Sequence, residues 1–202
     1  SVSNGTLIID NIQSSANGAV SVAANAKLGG GGTVGGATTI SSSGVHSVGS
    51  VATGGADGVG KQTFSSSVTY NTGSIFEWDL SAASTSDPGV VADAFTGTYD
   101  QVVAAGAVTG GSAVFKVVLS GNSFSDAFWN TDKSWTNIFA GAGAPAALSS
   151  IFSSFSATGG LDSAGFVTGE GQFTFNGSTS TLNWSAVPEP TSALAGLLLA
   201  TG

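Results

Sequence analysis

Glu77 and Asp79 are the side chains whose type and spacing most suggest chemistry. They alternate with apolar residues in the segment IFEWDL, residues 75–80. On a β-strand, residues two apart share a face and lie about 7 Å from each other. That separation serves the two carboxyl groups of inverting glycosidases. We interpret the two residues as an outward acidic pair on a solvated strand, because carboxylates are seldom buried. A polysaccharide-cleaving site is the alternative.

His46 lies in the segment GVHSVG and is the only histidine of a chain that has no cysteine. A zinc site needs three or four nitrogen, sulfur or oxygen ligands. No G-x-S-x-G elbow places a nucleophile in the chain. We therefore predict a surface or corner histidine, and we predict no catalytic residue, no metal site and no cofactor.

Two glycine-rich segments resemble phosphate-binding loops in their residue pattern but not in the elements predicted around them. Residues 30–35, GGGTVG, satisfy G-x-G-x-x-G, and residues 55–62, GADGVGKQ, approach the P-loop pattern. Both motifs require a helix directly afterwards, so that its N-terminus meets the phosphate. Strand-like segments follow here instead, and we predict corners and loops of a β structure.

The four tryptophans offer a different kind of site, a platform on which sugars stack. Their spacing and parity favour the core, where large aromatic side chains contribute most of the buried area. The four residues are Trp78, Trp129, Trp135 and Trp184.

The composition predicts a mainly β protein with few partners among charged polymers. Of 202 residues, 41% are hydrophobic, 8% are charged and 31 are glycine. Glycine at this frequency disfavours long helices. The chain has four lysines, no arginine and a formal net charge of −8. Nucleic-acid binding needs clustered cations and is excluded, and attraction to anionic lipid is disfavoured for the same reason.

Short β-prone pieces determine the predicted architecture. Val20–Val22, Thr33–Val34 and Thr38–Ile40 are separated by Gly-rich and Asn-containing stretches. Strands this short with frequent corners are typical of a solenoid. We predict a short parallel β-helix over residues 1–125 with about 20 residues per coil, and a β-sandwich is the alternative.

Residues 126–186 are predicted to form a capping region. The segment AALSSIFSSF, residues 146–155, places apolar side chains at helical spacing after a proline, which predicts a short helix. Residues 172–184, QFTFNGSTSTLNW, alternate on both sides of Asn176-Gly177 and predict a β-hairpin. Such a unit would cover the strand edges that the last coil exposes.

Two segments carry a resemblance to known families. Residues 22–50, VAANAKLGGGGTVGGATTISSSGVHSVGS, resemble the β-strand repeats associated with autotransporters. That resemblance implies a right-handed parallel β-helix. Val187, Pro188, Glu189 and Pro190, followed by the apolar TSALAGLLLA, resemble a PEP-CTERM sorting signal.

Together with IFEWDLS, TYDQV, VFKVVLSG and FWNTDKSWTNIF, the tail makes the chain similar to PEP-CTERM proteins of Verrucomicrobia-like Gram-negative bacteria. The resemblance implies export, recognition by a membrane sorting protease of the exosortase type, and display at the cell surface or in a matrix. It implies no catalytic activity. The tail of residues 187–202 departs from the pattern, because it ends without an arginine cluster and is shorter than the roughly 20 apolar residues that span a bilayer.

We therefore predict a structural extracellular or cell-surface protein that forms a homo-oligomer or filament. The strand-like GTLIIDNI near the start lacks a capping helix before it and leaves a strand edge for another subunit. The predicted assembly contacts lie in this segment and in the tail: Leu7, Ile8, Ile9, Leu194, Leu197, Leu198 and Leu199. The alternatives are an adhesin or carbohydrate-binding module that recognises extracellular polysaccharide and, less favoured, a polysaccharide-degrading enzyme.

Overall fold

The computed structural model describes residues 1–13, 15, 17–49, 58–86, 97–121, 123–157 and 160–187. The protein is mainly β, as predicted, and most of its strand pairs are parallel. The strands of the described residues are β1 (Gly5–Ile8), β2 (Val20–Val22), β3 (Ala26–Gly29), β4 (Thr33–Val34), β5 (Thr38–Ile40), β6 (Val45–Ser47), β7 (Lys61–Phe64), β8 (Val68–Tyr70), β9 (Ile75–Leu80), β10 (Gln101–Ala104), β11 (Val108–Gly110), β12 (Ala113–Leu119), β13 (Lys133–Trp135), β14 (Phe139–Ala140), β15 (Phe152–Ala157), β16 (Phe166–Val167), β17 (Gly171–Phe175) and β18 (Leu182–Ala186).

Three parallel sheets share the strands in a regular order. The six-stranded sheet is ordered β1-β3-β6-β9-β12-β15, the β2 sheet β11-β8-β5-β2, and the β4 sheet β14-β10-β7-β4. From β2 to β14 the chain visits the β2 sheet, the six-stranded sheet and the β4 sheet in that order, four times, with β13 outside the sequence. We call one such passage a circuit. An earlier circuit consists of β1 and two bridges, Val2 to Val22 and Ile12 to Thr33.

The circuits differ in length, and the later ones exceed the roughly 20 residues per coil that the sequence predicted. The three short segments predicted between residues 20 and 40 are confirmed as β2, β4 and β5. In the β2 sheet, Val20 pairs with Thr38, Thr38 with Val68, and Val68 with Val108, so the partners lie further apart in sequence at each step. Later circuits therefore carry longer connections, which cost little because the entropy of loop closure grows slowly with length.

The three parallel sheets enclose one hydrophobic core. Tyr70 of the β2 sheet, Phe76 of the six-stranded sheet and Phe139 of the β4 sheet meet inside it. The ring centroid of Phe76 lies 6.1 Å from Tyr70 and 5.1 Å from Phe139. Phe76, Trp78 and Leu80 are all fully buried, which confirms the period-two pattern of IFEWDL.

Close backbone approach explains several glycines at the corner that leads into the β2 sheet. A Cβ on Gly36 would overlap the carbonyl group of Gly18, and a Cβ on Gly143 would overlap that of Gly106. Gly18, Gly36 and Gly106 each stand two residues before a strand of this sheet. Successive circuits can therefore stack closely at this corner because no side chain separates their backbones.

A fourth, antiparallel sheet covers the C-terminal end of the parallel core. Its order is β13-β18-β17-β16. The predicted hairpin is confirmed, since Phe175 pairs with Leu182 and Phe173 with Trp184. The ring of Phe175 stacks on Phe155 of β15 at 4.3 Å and lies 5.6 Å from Phe115 of β12. These contacts join the antiparallel sheet to the parallel core.

The helix predicted over residues 146–155 is wrong. Leu148–Ser150 forms one 3-10 turn, and the strand β15 follows and pairs in parallel with β12. Burial of Phe152 and Phe155 against β12 outweighs the helical spacing of the segment. The other 3-10 helix of the described residues is Ala127–Asn130. Parallel pairing thus continues past residue 125 to β14 and β15, interleaved with β13 of the antiparallel sheet.

Candidate functional site

Glu77 lies on the outer face of the six-stranded sheet between two lysines. It pairs in register with Lys116 of β12, whose Nζ lies 2.6 Å from its Oε1. Lys27 of β3 reaches its other oxygen at 2.9 Å. Partial burial acts to raise the pKa of Glu77, but the hydrogen bonds and charges of the two lysines outweigh it and lower the pKa. Glu77 is therefore held as a carboxylate, the opposite of what a general acid needs.

Asp79 does not share the exposed face with Glu77, so the predicted outward pair is wrong. Asp79 is 1% exposed, because residues 98–100 cover the C-terminal end of β9. Tyr99 forms an isolated antiparallel β-bridge with Leu80, and the Asp100 N–H donates to the Asp79 carbonyl oxygen at 3.0 Å. The two carboxyl groups therefore face different environments and cannot act together on one glycosidic bond.

Asp79 instead neighbours a second buried carboxyl group that was not predicted. Asp100 accepts the Gly60 N–H at 2.8 Å and the Asp79 N–H at 3.0 Å. The Asp79 carboxyl accepts the Ser120 hydroxyl at 3.4 Å. Burial, and then the charge of Asp79, raise the pKa of Asp100 well above its usual range. The pair therefore holds a proton more tightly than solvated carboxyl groups do, and Asp100 ties the strand β9 to the start of β7.

His46 is fully buried, so the predicted surface or corner position is wrong. Its Nε2 lies 2.8 Å from the Gln62 Oε1 and its Nδ1 2.6 Å from the Tyr70 hydroxyl. The Gln62 amide nitrogen donates to the Gly29 carbonyl at 3.0 Å, which turns its oxygen toward His46. Nε2 therefore carries the proton and donates it to Gln62, while Nδ1 accepts the Tyr70 hydroxyl.

The surroundings of His46 are those of a structural core residue. The Phe64 and Phe76 rings lie 5.4 Å and 5.5 Å from the imidazole. Burial lowers the pKa of His46 to about 4, although the Gln62 hydrogen bond opposes the shift. Burial also raises the pKa of the Tyr70 hydroxyl. Both imidazole nitrogens are engaged by side chains of the other two parallel sheets, Gln62 of β7 and Tyr70 of β8, and neither faces a surface where a substrate could bind.

The tryptophans lie in the core, as their parity predicted. All four are at most 1% exposed. Trp184 donates its indole N–H to the Trp129 carbonyl at 2.8 Å, and Trp78 lies edge-on to Trp135 at 5.6 Å. A sugar-stacking platform made of these indoles is therefore wrong, because their faces are covered by other rings.

The glycine motifs lie in strands and corners. Residues 30–35 include the strand β4 and are followed by β5, and Lys61 of the P-loop-like segment begins the strand β7. No helix follows either motif, as predicted, among the residues that the structure describes. Residues 55–57 of the second motif lie outside the described residues.

The sorting-motif residues lie almost entirely beyond what the structure describes. Val187 is about half exposed, and its N–H donates to the Glu170 carbonyl at 2.8 Å. Pro188, Glu189 and Pro190 lie outside the described residues. So do the predicted assembly contacts of the tail, namely Leu194, Leu197, Leu198 and Leu199.

The N-terminal assembly segment divides between surface and core. Leu7 and Ile8 are 37% and 39% exposed, whereas Ile9 is 2% exposed and belongs to the core. Ile12, which sequence reasoning missed, is 78% exposed. Since β1 is an outer strand of the six-stranded sheet, these apolar side chains lie beside an open strand edge.

The described ranges contain no group of three or more histidine, aspartate or glutamate side chains that could hold a metal ion. Among the same residues, none of the helices has the length and apolar content that a membrane span requires. No protein-family model and no curated protein matches this sequence.

Replacing Glu77 with glutamine is expected to lower the free energy of unfolding by about 1 kcal/mol, because it leaves Lys27 and Lys116 without the carboxylate between them. The loss should shrink in high salt. Because folding lowers the pKa of Glu77, its contribution is present above the unfolded pKa and disappears as pH falls through the folded pKa. Urea unfolding of Glu77→Gln at two salt concentrations checks this. An equal loss in the control Glu170→Gln would contradict it.

Proposed function

We propose that the protein is a structural component of extracellular or cell-surface material, built as a short parallel β-helix. The repeated order of the three parallel sheets supports this fold. Each circuit returns the chain to the same sheet, one strand further along, and pairs it in parallel with the preceding circuit. A core enclosed by three sheets in this way is rigid and extends along one axis, which suits a scaffold.

The observation that carries the proposal is the outer edge of β1, where no further strand pairs among the residues that the structure describes. Proteins usually protect such edges with charges, proline, bulges or a covering segment. The strand β1 contains no proline and no charged residue, and Asp10 is the only charged side chain of residues 1–13. The Asp10 carboxylate accepts the Gly31 N–H of the next circuit at 3.0 Å. The exposed side chains beside the edge are Leu7, Ile8 and Ile12.

The polar groups that first suggested chemistry support a passive role. Glu77 is neutralised by two lysines. His46 and the Asp79–Asp100 pair are buried and bonded to other circuits. Each group therefore holds strands together. The proposed export and surface location depend on the resemblance of Val187–Pro190 to a sorting signal, as does the proposed recognition by an exosortase-type protease.

Replacing Ile8 with lysine is expected to abolish self-association of the purified chain. The added charge lies at the open edge, where it must be desolvated before another strand can pair. Ile8 is partly exposed, so the fold should tolerate the lysine. Phe166→Lys is the matched control, since Phe166 is 49% exposed but lies on the antiparallel sheet.

Light scattering over a concentration series, with negative-stain microscopy of the same samples, measures the association. We expect the wild type and Phe166→Lys to form oligomers and Ile8→Lys to stay monomeric. A wild-type chain that is monomeric at every concentration would refute the proposed self-association. Equal association of all three chains would show that the chain associates through a surface other than the β1 edge.

A further inference from the structure

The two ends of the parallel core differ. At the C-terminal end, Phe173 and Phe175 of the antiparallel sheet pack on Phe155 of β15. The Phe155 N–H donates to the Ser163 carbonyl at 3.0 Å, so β15 also has a backbone partner on this side. At the N-terminal end, β1 is the outer strand of its sheet. Head-to-tail stacking would join an open end to a covered end, whereas two open ends match each other.

The hydrogen bonds of Ile9 show which backbone groups face the open edge. The Ile9 N–H donates to the Gly29 carbonyl at 3.0 Å, and the Ile9 carbonyl accepts the Gly32 N–H at 2.7 Å. Both groups of Ile9 thus point toward the next circuit, on the side of β3. Because these groups alternate in direction along a strand, those of Leu7 also face β3, while those of Thr6 and Ile8 face away. Thr6 and Ile8 therefore present two N–H and two C=O groups at the edge.

The side chain of Leu7 indicates where the two ends meet. Leu7 pairs in register with Leu28, which is fully buried in the core. Leu7 therefore points toward the core, and it is exposed because, within the described part of the chain, no strand lies beyond β1 to cover it. A strand added at this edge would bury it. The occupant must supply both a strand edge and an apolar side chain at the same level.

We propose that this occupant is a second copy of the chain, related by a two-fold axis through Leu7, with the two β1 strands antiparallel. This inference rests on the proposed self-association and specifies its geometry. In this register Thr6 of each copy lies opposite Ile8 of the other, and each pair exchanges two backbone hydrogen bonds. Leu7 lies opposite Leu7 of the second copy as a non-hydrogen-bonded pair, with Cβ atoms about 4.5–5.5 Å apart.

The same axis accounts for the remaining exposed apolar side chain of the first circuit. A two-fold axis perpendicular to the six-stranded sheet places the β2 sheet of each copy opposite the β4 sheet of the other. It therefore brings Ile12, which bridges the β4 sheet, toward Val2 of the second copy, which bridges the β2 sheet. An interface of this type uses one surface twice and closes at two copies. The inferred assembly is a dimer with two capped outer ends.

Cysteine cross-linking tests the arrangement, because the chain has no cysteine of its own. Under mild oxidation, Leu7→Cys is expected to migrate mainly as a covalent dimer, since opposed non-hydrogen-bonded positions come close to disulfide geometry. Thr109→Cys is the control, because Thr109 is exposed on β11, at the opposite end of the parallel core from the β1 edge. It is expected to remain monomeric on the same gel. A mixture of Thr6→Cys and Ile8→Cys chains, treated with a short thiol cross-linker, should give mixed dimers.

The outcomes separate this inference from the proposed function. Cross-linked dimers at Leu7, or the mixed Thr6–Ile8 product should Leu7→Cys fail to fold, support the two-fold pairing. Filaments or higher oligomers of the wild type without either product would overturn the two-fold pairing and leave self-association standing. A wild-type chain that sediments as a monomer at all concentrations would overturn both.

Discussion

Replacing Phe76 with alanine is expected to remove about 3–5 kcal/mol from the free energy of unfolding. Phe76 is fully buried, and its ring lies within 6.1 Å of the rings of Tyr70, Phe115, Phe139 and Phe152. These four rings come from all three parallel sheets. The substitution leaves a cavity where the sheets meet, and a core of paired strands can collapse around it only in part.

Urea unfolding of the monomeric Ile8→Lys background measures the loss without interference from association. The midpoint should fall while the denaturant slope stays constant, because the surface exposed on unfolding hardly changes. Phe166→Ala is the matched control, with the same chemical change at a half-exposed ring, and should cost less than about 1 kcal/mol. Equal losses for the two variants would show that the three sheets do not enclose a common core at Phe76.

Acidification is expected to remove about 3 kcal/mol of stability through His46 alone. Burial lowers the pKa of His46 from 6.5 to about 4, so between these values the unfolded chain binds a proton that the native protein does not. The free energy of unfolding therefore falls as pH decreases from 6.5 toward 4, by about 1.4 kcal/mol for each pH unit. The raised pKa of Asp100 acts in the opposite direction, since its contribution is lost as pH rises.

Comparison with His46→Phe isolates the histidine, because that variant keeps Asp79 and Asp100. At pH 7 the variant should be less stable, since phenylalanine leaves the Tyr70 hydroxyl and the Gln62 oxygen without their partner in a dry core. The difference between the two chains should shrink by about 3 kcal/mol between pH 7 and pH 4. As the only histidine, His46 also gives one imidazole signal by NMR. A midpoint near pH 6.5 in the folded protein would contradict its burial.

Local patterns predicted the strands well, because period-two alternation and glycine punctuation depend on a few neighbouring residues. Val20–Val22 and Thr38–Ile40 were located to the residue as β2 and β5. The pattern failed at residues 146–155, where helical spacing and a strand partner in β12 competed. Only the partner, which is distant in sequence, decides that competition.

The buried polar groups could not be predicted, because their partners are distant in sequence. His46 bonds with Tyr70 and Gln62, which are 24 and 16 residues away, and Asp79 neighbours Asp100, which is 21 residues away. A histidine or aspartate in isolation is expected at the surface, since burial without partners is costly. The alternation in β9 did place Glu77 on the outer face, but it could not foresee the two lysines that hold it there.

Hydrogen exchange of the backbone amides as a function of protein concentration tests self-association through β1 most directly. The Thr6 and Ile8 amides face the open edge, so they should exchange quickly in dilute solution and become protected as the chain associates. The Leu7 amide, which faces β3, should be protected throughout. Exchange at Thr6 and Ile8 that does not change from dilute to concentrated solution would contradict the account.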